Sequence, residues 1–163
     1  MAELTLFLTL VLLLSAAHKI LEPERLAVAV TRLTGVPVSL APVVNAGVAV
    51  MEIAAAIALL FAASTPVGAI LATLIWCIYG VALARHFGNT LDCGCSFAAR
   101  EKSIGYLDLA RSFGLALLAL ATLAMPFSPF SILTPFAAAG FLALYVAGGE
   151  LTSIFIPQRR GTA

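Results

Sequence analysis

Charge is scarce in this chain of 163 residues, because only 10% of its side chains are Asp, Glu, Lys or Arg while 62% are hydrophobic. Soluble domains carry about 25% charged and about 45–50% apolar residues. A small soluble domain still exposes much of its surface, so it could not bury this many apolar side chains. With a mean hydropathy of +1.09, the chain is predicted to be a single transmembrane domain over residues 1–163, with the lipid bilayer as its solvent.

A surplus of basic residues is also lacking. The net charge of +1 argues against a nucleic-acid partner, which would require a concentrated basic face. No basic residue precedes Lys19, and the only early charge is Glu3. A secretory signal would begin with a positive region, and the small residues 15–17 run directly into His18. We therefore expect a retained first membrane helix.

Long apolar runs are what the chain has in abundance. A helix needs about 20 apolar residues to cross a hydrocarbon core of about 30 Å. Because membrane helices satisfy their own backbone hydrogen bonds, these runs predict an all-α membrane bundle of five spans, with four as the alternative count. The predicted spans are residues 4–21, 38–63, 65–86, 104–125 and 132–155.

A short interfacial helix is predicted between the first two spans, over residues 22–37. Charged residues there surround apolar ones, as in helices that lie at a membrane surface. Pro23 stands in the first turn, and Gly35 and Pro37 end the helix.

The basic residues are distributed asymmetrically, since all nine lie in or beside the first loop, the third loop or the C-terminal tail. With five spans, these three regions share one side of the membrane. The positive-inside rule then predicts an outer N-terminus and a cytoplasmic C-terminus and third loop, in a bacterial inner (cytoplasmic) membrane. The nine are Lys19, Arg25, Arg32, Arg85, Arg100, Lys102, Arg111, Arg159 and Arg160.

The third loop, predicted at residues 87–103, holds two of the three cysteines as Cys93-Gly94-Cys95. Basic neighbours favour the nucleophilic thiolate, whereas the carboxylate of Asp92 opposes it. A disulfide closed across one glycine would be strained and suited to exchange. Two other interpretations stay open: incidental loop cysteines, and a soft-metal site with His86 or Asp92, for which the four ligands of a closed zinc site are incomplete.

An acidic residue stands inside the second span. A carboxylate at the position of Glu52 costs at least about 2.5 kcal/mol on insertion scales and is functional by default. Asn45 precedes it by two helical turns and is expected on the same face. A structural pair of Glu52 with Arg111 or His18 is the compatible alternative.

The remaining polar candidates each allow two interpretations. Arg111 follows Asp108 by three residues, so it could bridge locally or face inward to Glu52 or the thiol loop. Lys19 is expected to snorkel to the lipid headgroups, and His18 could relay protons near neutral pH.

Two further residues lie within the spans. Cys77 beside Trp76 would be inert packing, or a third redox thiol if the loop folds inward. Glu150 in the last span faces either the interior or the interface.

Three stretches together resemble one known family. They are SAAHKILEPERLA, VAVMEIAAAIALL and ALARHFGNTLDCGCSF. Over about residues 14–120 the chain resembles the MauE family, membrane proteins of methylamine-utilisation operons within the broader DoxX-like group. The block from Gly88 to Cys95 is the most specific part. Ser96-Phe97 departs from the expected aromatic residue and glycine, which bears on the partner surface.

The resemblance implies an inner-membrane protein that works with a thioredoxin-like partner, MauD, in the maturation of methylamine dehydrogenase. Cys93 and Cys95 match the family's C-G-C and would be the exchange pair. Family members outside methylamine operons imply that the substrate need not be that enzyme. The family's other matching polar positions have no assigned roles; they are His18, Lys19, Glu52 and Arg111.

These observations predict a membrane thiol–disulfide oxidoreductase that works through mixed disulfides. Glu52, His18 and Arg111 would manage protons and charge. No cofactor is assigned with certainty and no metal is assigned; a quinone or a thioredoxin on the opposite face could be the second electron carrier. A soft-metal or thiol-compound transporter and a membrane anchor for a redox partner are the alternatives, and a homodimer is allowed for. The resemblance also implies that the thioredoxin-like partner lies outside the cytoplasm. This conflicts with the cytoplasmic side predicted for the third loop.

Overall fold

The computed structural model describes residues 2–91, 102–125, 128 and 131–155. Within these residues the chain is all-helical apart from one two-residue ladder, and five of its helices are long and apolar enough to cross a membrane. The predicted all-α bundle of five spans is thereby confirmed. The helices are α1 Ala2–Leu21, α2 Pro23–Thr34, α3 Ala41–Leu60, α4 Thr65–Arg85, α5 Tyr106–Ala121 and α6 Thr134–Phe155.

The predicted bounds differ at the second span, which was expected over residues 38–63. The helix α3 ends at Leu60, and a tight turn leads directly into α4. The hydroxyl of Ser64 donates to Ala58 O (2.9 Å) and that of Thr65 donates to Phe61 O (2.9 Å). Ala58 O lies in the last turn of α3, where a helix end leaves carbonyl groups without partners, and Phe61 O also accepts the backbone N–H groups of Ser64 and Thr65. The turn therefore satisfies the end of α3 before the apolar run is exhausted.

The fourth span also ends early. The α5 helix gives way at Thr122 to a short 3₁₀ turn, Thr122–Ala124. The prolines at 126 and 129, which were expected to break this span, lie outside the described residues.

The short helix α2 forms as its sequence predicts. Pro23 occupies the first turn, where its missing N–H costs nothing. Gly35 ends the helix in the left-handed conformation (φ 74°), and its N–H donates to Thr31 O at 2.9 Å. Leu26, Ala29 and Leu33 are buried, so one face of α2 packs on the bundle.

The five long helices pack in the spatial order α6, α1, α3, α4, α5, with α1 also touching α5. Fully buried leucines, including Leu8, Leu12 and Leu59, form the core together with Trp76. Large apolar side chains also cover the outside of the bundle. Such an outer surface suits contact with lipid chains rather than water.

The α3–α4 hairpin depends on a close approach at Gly68. A Cβ atom at this position would lie 2.7 Å from Leu59 N and 3.0 Å from Ala55 O, both backbone atoms of α3. Backbone cannot rotate away as a side chain can, so any larger residue would push the two helices apart.

Gly68→Ala is therefore expected to lower the free energy of unfolding by about 1–3 kcal/mol, the usual cost of overpacking. The measurement is detergent-induced unfolding in mixed micelles. Gly47→Ala is the matched control, because nothing lies within 4 Å of a Cβ at Gly47. Equal stabilities of the two variants would contradict the close approach.

Candidate functional site

An ion pair lies inside the bundle, between α1 and α3. The ammonium of Lys19 donates to Glu52 Oε1 at 2.9 Å, and the two side chains are only 10% and 1% exposed. The hydroxyl of Ser15 donates to the same Oε1 at 2.9 Å and accepts from Lys19 Nζ at 2.8 Å. Ser15 and Lys19 are one helical turn apart, so α1 presents both to Glu52 from one face.

A second side chain of α3 and one of α4 complete this cluster. Asn45, 3% exposed, donates from Nδ2 to Lys19 O at 3.2 Å. That carbonyl lies in the last turn of α1, where it has no partner within the helix. The Tyr79 ring of α4 lies beneath Lys19 Nζ, 5.3 Å from the ring centroid, and its side chain also interacts with the Glu52 carboxyl group. The ion pair thus joins α1, α3 and α4.

Lys19 differs from expectation. We expected it to snorkel to the headgroups, and this is wrong because Ser15 and Glu52 offer polar partners inside the bundle. Lys19 is also the ion-pair partner of Glu52, for which the sequence suggested Arg111 or His18. A charge leaves the headgroup region only where such partners replace its hydration.

His18 lies at the junction of α1 and α2 and is buried. Its Nδ1 is 3.7 Å from Glu22 Oε1, and the other oxygen of Glu22 accepts from Arg25 Nη1 at 2.6 Å. His18 therefore sits between the intramembrane cluster and the charges of the first loop.

Arg111 faces inward and bridges α5 to α6. Its guanidinium carbon lies 3.8 Å from the centroid of the Tyr145 ring, a cation–π contact. A Cβ at Gly149 would lie 2.5 Å from Nη1, so the guanidinium rests against the α6 backbone there. Asp108, considered as a local partner of Arg111, caps α5 by accepting from Gly105 N–H at 3.0 Å.

A cavity of about 140 Å³ lies at the end of the bundle where α1 and α4 end and α5 begins. Glu150, which was expected to face either the interior or the interface, lines this cavity. Cys77 is not among the lining residues and packs against the core. The polar lining residues are Ser15, His18, Lys19, Asn45, Tyr79, Asp108, Arg111, Ser112, Tyr145 and Glu150.

The described ends of the third loop are held against the wall of this cavity. Thr90–Leu91 (β1) pairs antiparallel with Lys102–Ser103 (β2), and the backbones of residues 88–89 and 104 exchange hydrogen bonds of 2.9 and 3.0 Å. Ile104, 1% exposed, packs on Leu33 and Leu83, which also line the cavity. Gly88 adopts φ 81°, a left-handed conformation that favours glycine.

A side-chain contact also joins α2 to the residue that directly follows α4. His86 Nε2 lies 3.1 Å from Leu33 O in the last turn of α2, so its N–H donates to that carbonyl. The loops after the first and third spans therefore meet at one end of the bundle. Cys93, Cys95 and Asp92 lie between the two strands, outside the described residues.

Sequence reasoning missed Ser15, Tyr79 and Tyr145 as members of the site. Ser15 carried a usable signal, because it precedes Lys19 by one turn on an otherwise apolar helix. The two tyrosines carried none, since an aromatic residue in a membrane span is equally typical of packing.

The comparison with known families bears on this arrangement. The model of methylamine utilisation protein MauE matches residues 1–125, from α1 to the end of the 3₁₀ turn after α5. The chain belongs to the MauE family. It is a multi-pass membrane protein associated with methylamine utilisation, and the stretch from 89 to 103 with both loop cysteines lies within the match. No curated protein and no solved structure matches the chain.

The ion pair of this MauE-family protein predicts a non-additive pair of substitutions. Lys19→Met and Glu52→Gln should each cost about 3–5 kcal/mol of unfolding free energy, because each leaves one buried charge without its counterion. The double variant should cost clearly less than the sum, since neither charge remains. Detergent-induced unfolding in mixed micelles gives the unfolding free energy of the two single variants and of the double variant. Additive losses would contradict a direct pair.

Proposed function

We propose that this MauE-family protein is a membrane thiol–disulfide oxidoreductase whose exchange pair is Cys93 and Cys95. The observation that carries the proposal is the pairing of the two ends of the third loop. The strands β1 and β2 flank the stretch that bears both cysteines and pair with each other, so the two ends of that stretch lie together. Ile104, next to β2, packs on Leu33 and Leu83 of the cavity wall. The cavity is also lined by Lys19, whose buried ion pair with Glu52 is an unusual and costly feature in a membrane.

The reaction is an exchange of one electron pair. A thiolate of the partner attacks one sulfur of the Cys93–Cys95 disulfide, forms a mixed disulfide and releases the other cysteine as a thiolate. The partner's second thiolate then attacks the mixed disulfide. The partner leaves with its own disulfide, and Cys93 and Cys95 are left reduced by two electrons. The reverse sequence of steps would reduce the partner.

The polar cluster would handle the accompanying protons and charge. Ser15 accepts a hydrogen bond from Lys19 and donates one to Glu52, so its hydroxyl links the two charged groups. His18 leads from this cluster towards the charges of the first loop. Arg111 contributes a further positive charge to the cavity wall. These groups are positioning and proton-handling residues in the proposal, whereas the two thiols do the chemistry.

The proposed partner is a thioredoxin-fold protein similar to MauD. Such proteins present an exposed dithiol or disulfide, which is what a C-G-C pair on a loop can attack. The outcome would be disulfide formation or maturation of extracytoplasmic proteins such as methylamine dehydrogenase. A homodimer in the bilayer remains a prediction.

The proposed location is the bacterial inner membrane with the cysteine loop on the cytoplasmic side. The contact between His86 and Leu33 O supports the assumption that the first and third loops lie at one end. Basic residues gather at that end, whereas the turn 61–64 at the other carries none. An extracytoplasmic partner would then act through a carrier that links the two sides.

Replacement of the loop cysteines tests the activity. Cys95→Ser cannot form the loop disulfide, so it is expected to accumulate a mixed disulfide only with an oxidised partner, which the Cys93 thiolate attacks and from which no Cys95 thiolate can then release it. Cys93→Ser/Cys95→Ser should abolish partner exchange. The measurement is non-reducing electrophoresis followed by mass spectrometry of the linked peptides. Cys77→Ser is the matched control, since Cys77 packs against the core, and should exchange normally.

Other outcomes of the same experiment would contradict the proposal. Loss of soft-metal uptake with an unchanged redox state of the partner would identify a transporter. An unaffected partner and unaffected uptake in the double variant would identify a non-catalytic anchor.

Thiol labelling tests the orientation. In a Cys77→Ser background, a membrane-impermeant maleimide is expected to label Cys93 and Cys95 in inside-out vesicles and not in intact spheroplasts, because the basic loops face the cytoplasm. Reduction before labelling keeps the thiols reactive. Labelling in spheroplasts alone would reverse the assigned orientation and leave the proposed chemistry unaffected.

A further inference from the structure

The size of the cavity limits what it can hold. Its volume is about 140 Å³, and an apolar protein cavity of about 150 Å³ accommodates one benzene molecule. A volume of this order holds one six-membered ring.

The charges in the cavity wall favour a neutral ligand. Lys19 is neutralised by Glu52 at 2.9 Å. The cation of Arg111 lines the cavity together with the carboxyl groups of Asp108 and Glu150. These charges leave one surplus negative charge, so an anionic ligand would be repelled, and any charged ligand would lose its hydration.

The rest of the lining favours a flat ring. Trp76, Tyr79 and Tyr145 contribute aromatic side chains to the lining. Lys19 lies over one face of the Tyr79 ring and Arg111 over one face of the Tyr145 ring, and the remaining edges and faces favour contact with another ring beyond the area that it buries. Leucines from several helices fill much of the remaining wall; they are Leu14, Leu26, Leu33, Leu83 and Leu115.

Two buried polar atoms on this lining lack a hydrogen-bond partner among the described residues. One is Asn45 Oδ1, an acceptor on a side chain that is almost fully buried, and the other is Arg111 Nε, a donor. Leaving such an atom unsatisfied destabilises the fold, because the atom has lost its hydration without gaining a partner. A ligand that can both accept and donate hydrogen bonds would satisfy them.

We propose that this cavity binds the headgroup of a quinone, the bilayer-soluble ring that accepts hydrogen bonds as quinone and donates them as quinol. The carbonyl oxygens of the quinone would accept from Arg111 Nε–H, and a hydroxyl of the quinol would donate to Asn45 Oδ1. As a second electron carrier this ligand rests on the proposed function, whereas its binding does not.

The electron transfer balances with the loop thiols. Oxidation of Cys93 and Cys95 to a disulfide releases two electrons and two protons. One quinone takes up both electrons and two protons to become one quinol, with an O–H bond at each former carbonyl oxygen. Re-oxidation of the quinol belongs to the membrane's other quinone-dependent enzymes.

The only tryptophan of the chain, Trp76, lines the cavity and reports binding directly. The experiment titrates the full chain, in nanodiscs of a single phosphatidylcholine, with decylubiquinone while the fluorescence of Trp76 is followed. Saturable quenching with one ligand bound per chain is expected. Quenching that rises in proportion to the quinone in the lipid, without saturation, would overturn the proposal.

A substitution that fills the cavity tests whether the quinone binds there. Ala29→Leu adds a larger side chain to the α2 wall, where Ala29 is buried, and is expected to weaken binding at least 10-fold. Ala46→Leu makes the same change at an exposed position on α3 and should bind as the unmodified chain does. Equal binding by both folded variants would place the quinone elsewhere and overturn the proposal.

A ligand control remains decisive even if Ala29→Leu does not fold. Decylbenzene has the same tail and a ring without oxygens, so it cannot reach Asn45 Oδ1 or Arg111 Nε with a hydrogen bond. It should displace decylubiquinone at least 10-fold less effectively. Equal displacement would show a cavity for apolar rings in general and overturn the proposal.

Failure of the ring site and failure of the proposed function are distinguishable. Cys93→Ser/Cys95→Ser should bind decylubiquinone unchanged, because neither thiol belongs to the described lining. Partner exchange without saturable quinone binding would remove the quinone and leave the oxidoreductase. Saturable quinone binding without partner exchange would leave the quinone site and remove the oxidoreductase.

Discussion

A buried charge must find its counterion inside the bundle, and the ion pair of Lys19 and Glu52 is where this protein meets that requirement. Each charge alone would be costly in a hydrocarbon environment, so the pair restricts how α1 and α3 can rotate relative to one another. Ser15 and Tyr79 act on the same two groups. The position of three helices therefore depends on one contact of 2.9 Å.

The polar end of the bundle follows from that contact. Asn45 binds the carbonyl of Lys19 and so ties the start of α3 to the end of α1. The helix α2 then lines the cavity beside the pair. In its last turn, Leu33 O accepts a hydrogen bond from His86, which follows α4. Loop, cavity and ion pair form one continuous region, which is why the proposed redox chemistry and the proposed ring site are assigned to the same end.

Much of the fold was accessible from the sequence because it depends on local physics. Apolar runs of about 20 residues predict spans wherever backbone groups must be satisfied internally, and Pro23 and Gly35 mark the ends of α2 through their own backbone preferences. The short pairing of Thr90–Leu91 with Lys102–Ser103 was not predicted, since two-residue strands leave no alternation to detect. The early end of α3 was missed because hydroxyls of the following turn, rather than the end of the apolar run, determine it.

The sequence by itself determined the membrane class, the number of spans, the presence of a cysteine pair on a polar loop and the family. Each of these depends on composition or on residues close together in the chain. Only the tertiary structure decided that Lys19 turns inward to Glu52, that Arg111 lies on Tyr145 and that Glu150 shares their cavity. Those contacts join residues more than 30 positions apart, and they depend on how each helix is rotated about its axis. In a nearly uniformly apolar span, the amphipathic pattern that would predict this rotation is too weak to read.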